Sequence, residues 1–300
     1  MRWRWWAGLA LLAGAISCGP ADKPTAAAAP HAARLQERKR LRIRREMDRA
    51  TRLDSLWLAE VLQEALVVAR PHLHEARFTH EFEMGNVHRG RVTTSLRLGH
   101  LLSRRQKHLL IWRKSFASQQ YSADMVYLDW YRIDGLKLTP VLRHEQGRME
   151  YVSDTLWDVT GDGYQDVVVH TYGTNGCCLK AFSEVYPFRA ATGDFAPVVG
   201  FDTPTFAPRE KVVRGVNYGQ PRETELYKYR WRGTTVDTVE YLYYAQAPDG
   251  TRTSTLLRAR RLIGPGAAAT QRLARMPPEY TRIFGYDWFT GEFYQPRKGG

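Results

Sequence analysis

The chain has 300 residues, of which 43% are hydrophobic and 12% aromatic. That excludes a chain too polar to build a core and suits one domain of ordinary size, strand-rich in its aromatic content. The formal net charge of +13 fits anionic lipid headgroups, lipopolysaccharide or an acidic protein, and equally a surface that simply prefers arginine.

The opening MRWRWWAGLALLAGAISCGP has a basic start at Arg2 and Arg4, a short apolar run over residues 7–16, and Cys18 behind small residues. This is the layout of a secretory signal, too short for a spanning helix. Ala15-Ile16-Ser17-Cys18 resembles the bacterial lipobox, with Ala15 where Leu or Val is usual. The resemblance implies a lipoprotein: residues 1–17 are a signal peptide, and Cys18 becomes an acylated N-terminus (palmitate among its chains) that anchors the chain to a membrane. Ordinary cleavage after Ala13-Gly14-Ala15 is the competing reading. Exported chains rarely meet nucleic acid, so nucleic acid is set aside as a partner. Residues 18–33 are Ala/Pro-rich and read as a tether. No acidic cluster directly follows Cys18, which favours the periplasmic face of the cell envelope.

Residues 34–70 read as an amphipathic helix. Its first half is dominated by charge, and Leu53, Trp57, Val61, Leu62, Ala65 and Leu66 then recur at helical spacing. Asp54 is placed to cap a fresh helix, and Pro71 to end it. The basic half suits an anionic bilayer near the anchor, although most such runs are solvated.

From residue 71 to 300 the period becomes that of strands. ARFTHEFEM, GRVTTSLRLG and KHLLIWRKSF alternate or run apolar between glycine-containing breaks. MVYLDWYRIDGLKLTPVLRHE is a hairpin whose Asp134-Gly135 pair predicts a type I′ turn. FSEVYPFRAATGDFAPVV turns at Thr192-Gly193-Asp194, and EKVVRGVNYG, TELYKYRWRG, TTVDTVEYLYYAQ and RTSTLLRARRLI continue a meander. The tail RMPPEYTRIFGYDWFTGEFYQ is aromatic enough to pack on the domain, with a short helix after Pro278. The fold class is therefore mainly β: an antiparallel meander sheet, or a sandwich or barrel-like domain, behind the helix.

The sharpest motif is DVTGDGYQDVVV, residues 158–169. Asp158, Asp162 and Asp166 recur every four residues around Gly163, and calcium takes six to eight oxygens from such tight acidic loops. Thr160 would be a weaker ligand and Tyr164 would contribute its carbonyl. The twelfth position is Val169 rather than a bidentate Glu, and no helix follows, so this is not an EF-hand. The loop at 158–166 resembles that of FG-GAP and VCBS-type repeats, with Thr160 where Asp or Asn is usual. The resemblance implies a structural calcium site of weak, extracellular type, with a Kd on the order of 0.1–1 mM. A turn whose aspartates cap backbone N–H groups is the plainer alternative. One copy of the loop does not make a propeller, whose blades need neighbours.

The order of this loop, HTYGTNGCC, VYPF…TGDF, PTFAPREKVVRG and YKYRWRG is similar to that of lysozyme-inhibitor-like envelope proteins, over residues 120–245. The resemblance implies an inhibitor or immunity role against a cell-wall hydrolase. Cys177 and Cys178 are adjacent, with Cα atoms about 3.8 Å apart, below the usual disulfide range. A strained vicinal disulfide and two buried thiols both remain open. His72, His74, Glu75, His80 and Glu81 crowd together, which zinc could use with one further ligand. Trp130, Tyr131, Trp157, Trp231 and Trp288 could stack on glycans, or fill the core. Asp158 and Asp162 could serve as an acid/base pair, but acids in such a loop are normally ligands. No GxSxG, phosphate-binding loop or dinucleotide fingerprint occurs. The sequence thus predicts a calcium-stabilised, non-catalytic binding module for an envelope protein or glycan. Its rivals are the inhibitor and an enzyme acting on cell-wall or polysaccharide material.

Overall fold

The computed structural model describes residues 28–86, 90–116, 125–146, 149–173, 181–260 and 271–292. Cys18, Cys177 and Cys178 lie outside them. The chain divides into two compact units, Met1–Leu56 and Trp57–Gly300. Helix α1 (Ala28–Ala69) begins in the first and ends in the second. It passes Asp54 without a break, because nothing in that stretch interrupts its backbone ladder. Pro71 then lies inside a 3₁₀ turn, Arg70–His72, that closes the helix. Among the described residues no helix is long and apolar enough to cross a membrane.

Among its described residues, the second unit holds three antiparallel sheets and a short ribbon. The first is a pure meander of β1 (Phe78–Asn86), β2 (Gly90–Gly99), β3 (Lys107–Ser115), β4 (Met125–Asp134) and β5 (Lys137–Gln146). Asp134 pairs with Lys137, so the β4–β5 turn is Gly135-Leu136 rather than Asp134-Gly135. Gly135 has φ 65° and Leu136 does not have positive φ. That places the positive angle on the first central residue alone, which is a type II′ turn in place of the expected I′. A leucine explains the difference, since its Cβ disfavours the second left-handed position that type I′ requires.

The second sheet comprises β6 (Glu150–Trp157), β7 (Asp166–Tyr172), β8 (Ala181–Tyr186) and β11 (Val199–Asp202), in the order β11-β8-β7-β6. Between β8 and β11 lies the ribbon of β9 (Phe188–Arg189) and β10 (Asp194–Phe195). The third sheet is a second meander: β12 (Pro204–Ala207), β13 (Val212–Val216), β14 (Leu226–Arg232), β15 (Thr235–Gln246), β16 (Arg252–Ala259) and β17 (Gln271–Leu273).

The packing is layered. Trp57, Val61, Ala65 and Ala69, one helical turn apart, are buried. Ala65 and Ala69 pack on Leu96, Leu109, Ile111 and Ile133 of the first sheet. Its opposite face sends Leu110, Val126, Leu128 and Trp130 against Val167, Val169 and Tyr186 of the second sheet and Phe188 and Phe195 of the ribbon. Val168, Val185 and Phe201 point the other way, onto Val213, Tyr227 and Trp231 of the third sheet. Strand β7 is therefore covered on both faces, which is why Val167, Val168 and Val169 can run without alternation. Each such side chain, fully buried, contributes roughly 1.5–3 kcal/mol. The far face of the third sheet holds the aromatic tail through Tyr280, Ile283 and Phe289, the last on α2 (Tyr286–Thr290). Trp130 and Trp231 are thus core residues at 1% and 3% exposure, not a glycan platform, while Trp157 is 43% exposed.

Candidate functional site

The acidic loop connects β6 to β7 and is organised by its own backbone. The N–H groups of Gly161 and Asp162 donate to Asp158 Oδ1 at 2.7 and 3.0 Å, and Gly163 N–H donates to Oδ2 at 2.8 Å. Tyr164 N–H donates to Asp162 Oδ1 at 2.9 Å. Asp166 opens β7 and is completely buried. Its Oδ2 accepts from Val159 and Thr160 N–H, both at 3.1 Å, and its Oδ1 from Phe188 N–H at 2.9 Å. One carboxylate therefore ties the start of the loop to the ribbon. Burial pushes its pKa up to about 6, against the pull of the Phe188 and Thr160 donors. Thr160 Oγ1 is buried without a hydrogen-bond partner among the described residues.

Two glycines allow this path. Gly161 at φ 73° and Gly163 at φ 92° are both left-handed. A Cβ on Gly161 would meet Pro208 O at 2.4 Å, whereas one on Gly163 would meet nothing within 4 Å. The sequence drew attention to Gly163, but Gly161 is the residue that only glycine fits.

A carboxylate offers roughly four acceptor positions. Asp158 and Asp166 each receive three N–H bonds and Asp162 receives one. Asp162, exposed, and Asp158 keep acceptor capacity towards solvent; Asp166 faces inward. Among the described residues no three His, Cys, Asp or Glu side chains surround a common point as a metal ion requires. The Asp166 carboxylate is thus part of the fold, while Asp158 and Asp162 face outward with acceptor positions to spare. The histidine cluster is likewise dispersed. His72 Nδ1 bonds Glu75 at 2.6 Å and its ring stacks on Phe78 at 3.8 Å.

Beside the acidic loop lies a cleft that the sequence reading missed. Its wider part, about 610 Å³, is lined by His100, Ser103, Arg104 and Arg105 of the β2–β3 loop and by Asp162 and Tyr164. A smaller part, about 170 Å³, continues past Ser103, Arg105 and Tyr164 to Gln106, Arg132 and the ribbon turn at Thr192 and Gly193. Three loops distant in sequence meet here, held by one backbone and two side-chain-to-backbone hydrogen bonds. Gln165 N–H donates to Leu102 O at 3.2 Å, and Arg132 Nη1 donates to Thr192 O at 2.7 Å. Gln106 Nε2 donates to Ile133 O at 2.7 Å, fixing the base of the β2–β3 loop. Arg132 is neutralised by Asp134 at 2.9 Å. Arg104 and Arg105 are exposed and have no hydrogen bond or ion pair among the described residues. The only local signal was the basic tetrapeptide SRRQ between two strands.

Under this cleft His108 is fully buried, with its ring 5.5 Å from Phe188 and 6.4 Å from Trp130, both edge-on. Burial lowers its pKa to about 4, so the imidazole is neutral. A second polar group missed in the sequence lies between the first two sheets. There His144 Nδ1 meets Tyr186 Oη at 2.7 Å and Glu184 at 3.2 Å. The hydrogen bond from His144 holds the Glu184 carboxyl below its ordinary range. No family model matches the chain, and neither a curated protein nor a solved structure matches it.

Proposed function

We propose that the chain is a non-catalytic binding module of the bacterial envelope, held to a membrane through acylated Cys18, that takes an anionic group of an envelope protein or glycan into the cleft beside its acidic loop. The observation that carries this reading is the pair Arg104 and Arg105, without a described ionic partner, at the mouth of a cleft built by three loops. Guanidinium groups recognise carboxylate and phosphate through paired N–H donors. Tyr164, Ser103 and Gln106 add neutral polar groups along the same wall. Calcium belongs to the proposal as a weak, structural ligand of Asp158 and Asp162 that would stiffen the loop flanking the cleft.

Isothermal titration of the purified chain with lipopolysaccharide, muropeptides and inorganic phosphate tests the cleft. Saturable binding to one of them is expected, at least tenfold weaker in Arg104→Gln/Arg105→Gln with an unchanged melting temperature. Binding that ignores the double substitution, or no binding to any of the three, would refute the assignment.

A further inference from the structure

We infer that residues 39–45 of α1 are a docking element for anionic phospholipid, lying along the headgroups of the membrane from which the chain is tethered. The stretch KRLRIRR has five cations and no carboxylate. It belongs to the unit Met1–Leu56, and every one of its seven residues is exposed. Within a helix, Arg40 and Arg44 stand four residues apart. Like charges at this spacing repel and weaken the helix that carries them. A plane of negative charge meets several exposed cations at once, which a single acidic side chain cannot do.

Leu41 and Ile43 are 46% and 44% exposed within the same run. Two residues apart, they lie on different sides of a helix, so the segment has no single apolar face. It therefore suits adsorption at headgroup depth, driven by charge, rather than insertion into the hydrocarbon. Position supports a bilayer over other polyanions, because the run follows Cys18, the proposed site of acylation, by about twenty residues. One acyl signal with a polybasic segment is the combination that makes peripheral anchoring stable. The inference rests on the envelope reading above for which surface lies nearby, but its test does not use the acyl anchor.

The experiment compares two full-length chains, both carrying Cys18→Ser so that neither is acylated. One keeps the basic run; the other also carries Arg40→Gln, Arg42→Gln, Arg44→Gln and Arg45→Gln. Glutamine has a helix propensity close to that of arginine, so the helix survives. Both are sedimented with vesicles of phosphatidylcholine, alone or with about 30% phosphatidylglycerol, at low salt and at about 0.5 M NaCl. The first chain is expected to favour the anionic vesicles at least tenfold, and to lose that preference in high salt. The fourfold variant should lose it at low salt, while Arg104→Gln/Arg105→Gln in the Cys18→Ser chain should keep it. Equal partition onto the two vesicle types overturns the inference. So does a preference that survives the fourfold substitution, or tight binding to soluble heparin without any preference for phosphatidylglycerol. Failure of the cleft titration, by contrast, leaves these vesicle results unaffected.

Discussion

Arg113 and Asp129 meet inside the fold, Nη2 to Oδ2 at 2.5 Å, with side-chain exposures of 0% and 6%. Arg113 Nη1 also donates to the carbonyl of Leu58 at 2.7 Å, so one guanidinium joins strands β3 and β4 to helix α1. The Tyr127 ring lies 5.1 Å from the guanidinium carbon. An ion pair this deep is poor evidence of net stability, since both charges lose their hydration. What it does impose is orientation: the helix can satisfy this guanidinium only where Leu58 presents its carbonyl.

Halving the pair should therefore be costly and removing it whole much less so. Arg113→Met is expected to lower stability by about 3–5 kcal/mol, because it leaves the buried Asp129 carboxylate with only the more distant, exposed Arg143 at 3.8 Å. Arg113→Met with Asp129→Leu should recover most of that. Urea unfolding of the two variants checks it; an equal loss in both would show that the pair acts through packing alone.

The acidic loop offers a contrast between two glycines, Gly161 and Gly163, that stand two residues apart in different surroundings. Gly161→Ala drives a Cβ to 2.4 Å from Pro208 O at φ 73° and should cost more than about 2 kcal/mol. Gly163→Ala meets nothing within 4 Å, so only its left-handed backbone is strained, at about 1 kcal/mol. Melting temperatures of the two proteins, measured side by side, should rank them in that order.

His108 and Asp166 give the fold opposite responses to acid. His108 titrates near 4 when folded and at 6.5 when exposed, so the unfolded chain binds its proton first. Stability from this group is complete above pH 6.5 and is lost as pH falls towards 4. Asp166 is raised from 3.8 to about 6, so its contribution is complete below pH 3.8 and is lost as pH rises through 6. His108→Phe should flatten the fall in stability between pH 6.5 and 4, read by unfolding at a series of pH values. An unchanged slope would mean that the imidazole is not the group responsible.

Calcium should act through Asp162 more than through Asp166. At about ten times its Kd, a ligand of the folded state adds about 1.4 kcal/mol, so millimolar calcium should raise the melting temperature measurably over EDTA. Asp162→Ala should abolish that rise while changing the calcium-free protein little, since only one N–H bond is lost. Asp166→Ala should destabilise the protein in EDTA as well, because three N–H donors lose their acceptor. No shift with calcium would make the loop self-sufficient.

Much of the β architecture was legible locally. GRVTTSLRLG corresponds to β2 residue for residue, and the hairpin of β4 and β5 follows from two β-rich runs around one glycine. The short helix and buried aromatics of the tail were readable from Pro278 onward. Strand β6 was not, because a bulge between Tyr151 and Ser153 breaks its alternation and half its residues face solvent. The cleft was not legible either, since Arg105, Tyr164 and Gly193 are brought together by sheet stacking rather than by any shared spacing.

By itself the sequence determined the class of the fold and most of the strand-bearing segments, because periodicity and turn chemistry act over a few residues; it offered the self-bonded turn of the acidic loop only as the alternative to a calcium site. Only the tertiary structure decided that the strands divide among three sheets and that β7 is covered on both faces. It also decided that Asp166 and His108 lie out of water and that Arg104 and Arg105 flank the acidic loop. Those outcomes depend on which apolar faces bury the most surface against each other. That is a property of segments far apart in the chain, and no local pattern encodes it.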